Sequence, residues 1–120
     1  MVVSAVDSIK ARKEIWHNFI KDSSVVEFYV DTRMGAEQLI LFAVDPLSPE
    51  DSKFYEAHLF PESEVEQERC SAKSIMYTPV VIAGIAASTL KKKLMNQLYH
   101  RYFQLGLPTN NLSTMFPVSA

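Results

Sequence analysis

The sequence predicts an α/β fold, on three observations. A short apolar run, Val2 to Val6, passes straight into a helical pattern from Ser8 to Lys21. Two further runs rich in strand-forming residues, Val25 to Asp31 and Gln38 to Asp45, are separated by too few residues for a helical crossover, so they return antiparallel. A long stretch from about Pro79 to Tyr102 then reads as helix. Together these give a mixed sheet with one amphipathic helix and one long C-terminal helix, in a single domain over residues 1–120.

Each element has its own signal. Val2 to Val6 reads as a buried strand, and Ile9, Ile15, Trp16, Phe19 and Ile20 recur at helical spacing, which sets one apolar face on the segment Ser8 to Lys21. Asp22-Ser23-Ser24 is a loop. Val25 to Asp31 alternates poorly and is rich in Val, Phe and Tyr, as a strand covered on both faces is. Gly35 separates it from the strand Gln38 to Asp45. Pro46, Pro49 and Asp51 mark an irregular loop, followed by a weak strand at Phe54 to Phe60. Pro61 to Arg69 is acidic and mobile in composition.

Pro79 suits the first turn of the long helix. Val80, Val81, Ala83, Gly84, Ala86 and Ala87 make its first half small and apolar, which permits close approach of another backbone and offsets the cost of about 1 kcal/mol that Gly84 carries inside a helix. Lys91-Lys92-Lys93 fan around the second half as a solvated surface. Gly106 and Pro108 end the segment, and a final short strand is expected around Ser113 to Phe116.

Composition narrows the function classes. Apolar residues make up 48% and charged residues 22% of 120 residues, ordinary for a soluble globular chain, and a net charge of −2 gives no footprint for nucleic acid or an anionic membrane. The uncharged stretch Ser74 to Leu90 is interrupted by Thr78, Pro79, Ser88 and Thr89, so it reads as a core helix and not a membrane span. Cys70 is the single cysteine, which excludes an internal disulfide and a paired-cysteine zinc site and fits a cytoplasmic chain without a signal peptide. His17, His58 and His100 are too scattered to suggest a metal site.

Four residues carry candidate chemistry. Asp7 stands where the first strand meets the first helix, at the open edge of a sheet where ligands bind in α/β proteins. It is equally suited to cap that helix. Arg12 lies one turn further on, either facing a ligand or exposed to solvent. Arg33 places a charge at a strand end, either to touch a partner or to form a surface pair with Asp31, which contributes little. Cys70, flanked by Arg69 and Lys73, is either a thiolate nucleophile or an inert thiol.

The order of these motifs resembles the later half of the ThiF/MoeB family, the adenylating enzymes related to ubiquitin-activating enzymes. The resemblance rests on Val6-Asp7-Ser8-Ile9 with Arg12, on Val30-Asp31-Thr32-Arg33-Met34-Gly35, and on Cys70 ahead of a helix that begins near Tyr77-Thr78-Pro79 and carries Ala83-Gly84. It covers residues 1 to about 95 and implies a partial Rossmann-like mixed sheet. It also implies a chemistry in which ATP adenylates the C-terminal glycine of a ubiquitin-like or sulfur-carrier protein. Asp7 would then help hold the magnesium of the triphosphate, Arg12 would approach the nucleotide, Arg33 the partner's tail, and Cys70 would match a cysteine that some relatives use covalently. The glycine-rich phosphate loop of the family and its zinc-binding cysteine pairs are absent from this sequence. The expectation is a chain inactive alone, completed in a homo- or hetero-oligomer by a nucleotide-binding half, or else a non-catalytic interaction or dimerisation module of the same descent.

Overall fold

Ser8 starts the first helix by accepting the Ala11 N–H on its hydroxyl at 3.1 Å, so the capping role open to Asp7 belongs to its neighbour. The computed structural model describes residues 1–6, 8–35, 37–59 and 76–118; Asp7, Cys70 and the acidic stretch Pro61 to Arg69 lie outside them. The elements are β1 (Val2–Ser4), α1 (Ile9–Ile15), β2 (Tyr29–Gly35), β3 (Gln38–Val44), α2 (Pro49–Glu56), α3 (Tyr77–Leu94), β4 (Tyr99–Gly106) and β5 (Asn111–Val118).

The fold is mixed α/β. Five strands lie in sequence order, β1 parallel to β2 and every later pair antiparallel, an arrangement compatible with a partial Rossmann-like sheet. The β2–β3 return expected from the sequence is present, with Tyr29 opposite Val44 and Gly35 opposite Gln38. Its first strand starts at Tyr29 rather than Val25, and it runs through the Asp31–Gly35 stretch that was expected to turn.

Strand alternation separates two cores. On one face Tyr29, Phe42 and Val44 meet Trp16 and Ile20 from the first helical segment and Tyr55 from α2. On the other, Phe28, Val30, Leu41 and Ala43 meet Ala86 of α3 and Tyr99 of β4. The sheet is therefore the middle layer of three. Trp16 anchors the first core, its ring 4.8 Å from that of Tyr55, and burial of such large aromatics contributes more than any other side-chain type.

Four details differ from the sequence reading, each for a local reason. After Ile15 the helix widens into a π-turn over Trp16–Ile20, closed by the Lys21 N–H on the Trp16 carbonyl at 2.8 Å. That wider turn keeps Trp16 and Ile20 inward and leaves Phe19 exposed. Of the strand expected at Phe54 to Phe60, Phe54–Glu56 are instead the end of α2, Ala57–Leu59 follow it as a turn, and Phe60 lies outside the described residues; Ser48 caps α2 and Pro49 opens it, with Glu50 and Asp51 in the first turn.

The long helix stops at Leu94 and does not reach Tyr102. Asn96 adopts a left-handed φ of 53°. Its N–H donates to the Lys93 carbonyl and that of Gln97 to the Lys92 carbonyl, a Schellman ending that releases His100 and Arg101 into β4. Two strands follow α3, the second spanning Asn111–Val118 where a short strand was expected. Finally, Gly84 packs against nothing: a Cβ built there meets no atom within 4 Å, so the close backbone approach expected around it does not occur within the chain. Among the described residues no helix is long and apolar enough to cross a membrane.

Candidate functional site

The parallel pair β1–β2 brings the end of β1 beside the middle of β2, with Ser4 level with Asp31. Asp31 shares the inward face with Tyr29 and Arg33, between the sheet and the first helix, and is fully buried. A lone buried carboxylate is very costly, so its partners decide whether the fold tolerates it.

It has three. Asp31 Oδ1 accepts from Arg12 Nε at 3.0 Å, and Oδ2 accepts from Arg33 Nε and from the Tyr55 hydroxyl, both at 2.9 Å. Arg12 Nη2 donates to the carbonyls of Val6 and Thr32, and the Thr32 hydroxyl donates to the Ser4 carbonyl at 2.9 Å. Arg12 thus clamps the segment just after β1 at Val6, the residue immediately before Asp7. Arg33 reaches the other way, donating from Nη1 to the His58 carbonyl at 2.9 Å while its guanidinium lies 4.5 Å from the centre of the Phe42 ring. One network therefore joins the β1–α1 junction, β2 and the end of α2.

Both arginines differ from the sequence readings in burial. Arg12 is not an exposed helical cation; its side chain is 6% exposed. The pair between Arg33 and Asp31 exists but is not a surface pair, since the Arg33 side chain is 12% exposed and that of Asp31 fully buried. Asp7 and Cys70 lie outside the described residues, so the structure brings together Arg12 and Arg33 alone of the four candidates. Asp31 and Tyr55 were not singled out from the sequence as site residues. The signal for Asp31 was a charge in phase with Tyr29 and Arg33 along an otherwise apolar strand; nothing local marked Tyr55.

The electrostatics follow from the count. Two guanidinium groups face one carboxylate, an excess of one positive charge in a buried setting. Arg33 Nη2 is buried and has no hydrogen-bond partner among the described residues. Burial pushes the Tyr55 phenol far above its ordinary range, and the neighbouring Asp31 charge adds to that. The Tyr29 phenol is raised by the same two causes. Both phenols hold their protons at neutral pH; that of Tyr55 donates to Asp31, and that of Tyr29 has no partner among the described residues. Among the described residues no three His, Cys, Asp or Glu side chains gather as a metal site. No protein-family model matches the chain, and no curated protein is similar to it.

Proposed function

We propose that the chain is part of an ATP-dependent adenylating enzyme acting on the C-terminal glycine of a ubiquitin-like or sulfur-carrier protein, inactive without a nucleotide-binding half. The observation that carries this reading is the Arg12 clamp. A buried arginine holds the Val6 carbonyl two residues past β1, directly before the carboxylate that the resemblance assigns to magnesium. In this reading Arg12 is a positioning residue for Asp7. The surplus positive charge supports a role for Arg33 near an anionic tail. Cys70 remains the candidate nucleophile, and ATP with magnesium belongs to the completed enzyme.

The test is ATP–pyrophosphate exchange with the chain alone and after addition of a nucleotide-binding half that carries a glycine-rich loop. Exchange is expected only in the second case, and Asp7→Ala is expected to abolish it. Exchange that persists in Asp7→Ala defeats the magnesium role, and no exchange in the reconstituted mixture defeats the reading. Mass spectrometry under turnover tests Cys70 through an acyl or persulfide adduct.

A dimerisation module is the second reading, favoured by the outer face of α3. Met76, Val80 and Leu94 are 80%, 71% and 69% exposed, and Ala83 and Ala87 lie exposed between them. They recur at the four-and-three spacing of a helix-pairing seam. A second copy of this chain fits that seam best, because small residues let two identical helices approach closely across a two-fold axis. Sedimentation equilibrium reads this directly: a dimer that Val80→Glu dissociates supports it, and a monomer at high concentration removes it.

A further inference from the structure

On the opposite face of the sheet from the Asp31 network, the flank of α3 and strand β4 enclose a concavity of about 430 Å³. Its walls are largely apolar, with Ile85 from the helix and Phe103 from the strand among them, and Gly84 leaves its side open because no atom lies within 4 Å of where a Cβ would stand. The volume falls in the range of small-molecule sites, roughly 300–1,000 Å³.

Two basic side chains line it. Lys92 has no ion-pair or hydrogen-bond partner among the described residues, in contrast to Lys91, which bonds Gln97, and Lys93, which lies over the Phe28 and Tyr99 rings. His100 presents a buried Nδ1 that likewise lacks a partner among the described residues. Ser88 adds a hydroxyl from the helix side.

We propose that this concavity binds a small carboxylic acid with an apolar chain. The carboxylate accepts from Lys92 and the Ser88 hydroxyl, and the chain lies along Ile85 and Phe103 beside Gly84. An ammonium and a hydroxyl over an apolar trough match an anionic head on a hydrocarbon body, whereas a fully polar anion leaves the trough unfilled. The site does not depend on the adenylation reading and uses none of its residues.

Octanoate is the probe, used well below its aggregation range, with methyl octanoate as the uncharged control. Binding to the ¹⁵N-labelled full chain is followed by amide chemical-shift titration. Saturable shifts confined to α3 and β4 are expected, with methyl octanoate at least tenfold weaker. Lys92→Ala should weaken octanoate about fivefold or more. Gly84→Leu should fill the trough and abolish binding, and a preserved amide spectrum and melting point show that it still folds; Ser88→Leu provides the same test from the neighbouring turn. Equal affinity for acid and ester, or undiminished binding by a folded Gly84→Leu or Ser88→Leu chain, overturns the proposal. So does the absence of saturable shifts with octanoate.

Discussion

Arg12 and Asp31 meet at 3.0 Å between the first helix and the sheet, with side chains 6% and 0% exposed. The pair crosses from α1 to β2, and the same guanidinium holds the Val6 and Thr32 carbonyls. Its value to the fold lies in the groups it would strand if broken. A buried ion pair is weak evidence of net stabilisation, but removal of one partner leaves an uncompensated charge and costs about 3–5 kcal/mol.

Asp31→Ala should therefore be more damaging than Arg12→Ala. The first strands two guanidinium groups and the Tyr55 hydroxyl, whereas the second leaves Asp31 with Arg33 and Tyr55 still in place. We expect Arg12→Ala to lose about 3 kcal/mol and Asp31→Ala more, on the scale of broken buried pairs. Urea midpoints of the two variants decide it, and a smaller loss in Asp31→Ala contradicts the hierarchy.

Alkaline stability should report the buried phenols. Burial raises the Tyr29, Tyr55, Tyr99 and Tyr102 phenols above their ordinary value. A raised folded value means that the contribution is complete below the unfolded phenol pKa of about 10 and is lost as pH rises above it. Each fully buried phenol can add up to about 1.4 kcal/mol per pH unit to that fall. Tyr55→Phe should lower stability at pH 8 through the lost bond to Asp31, yet flatten the decline between pH 10 and 11. Unfolding curves across that interval test the slope, and an unchanged slope excludes Tyr55 as a contributor.

The parts of the fold legible in the sequence were those governed by local pattern. The strand–helix order at the start, the β2–β3 return and the final strand follow from apolar spacing and short connections, although the first strand is an edge strand of Val2–Ser4 with Val3 47% exposed and not a buried one through Val6. Two misreadings came from end signals outweighed by composition. Ser48-Pro49-Glu50-Asp51 is a cap, an N1 proline and an acidic first turn, but Pro46 and Pro49 together read as loop. Asn96 ends α3 through its φ, which neighbouring helix-favouring residues conceal. Of the site, Asp31 and Arg33 share a face by strand alternation, whereas the Arg12 and Tyr55 contacts depend on how two helices pack over β2. No local pattern encodes that packing.

Asn96→Ala should destabilise the chain by about 1 kcal/mol, because alanine keeps the Cβ cost of the left-handed region but lacks the short polar side chain that lets asparagine tolerate it. Asn96→Gly should be neutral or stabilising, since glycine takes that conformation freely and keeps both closing hydrogen bonds. Thermal melts of the two variants should therefore move apart, and equal losses would show that the side chain matters rather than φ.

Gly84→Ala should stabilise the chain by about 0.5–1 kcal/mol, through the lower conformational entropy of the unfolded state. The site is inside α3 and a Cβ there meets no neighbour within 4 Å, so no clash opposes the gain. A higher urea midpoint with an unchanged slope is the expected reading. A lower midpoint would mean that another backbone occupies the space beside Gly84 in solution.

Arg33 separates structure from function most sharply. Its Nε holds Asp31, its Nη1 holds the His58 carbonyl, and Nη2 is left over. Lysine keeps the charge beside Asp31 but not the planar fork, so Arg33→Lys should cost about 1–2 kcal/mol of stability. If Arg33 also meets the partner's tail in the completed enzyme, Arg33→Lys should raise KM for the ubiquitin-like or sulfur-carrier protein about tenfold while KM for ATP stays within twofold. Steady-state pyrophosphate exchange with each substrate varied in turn makes the split visible. Equal changes in both constants would assign Arg33 to the fold alone, with Asp31 as the reason it is there.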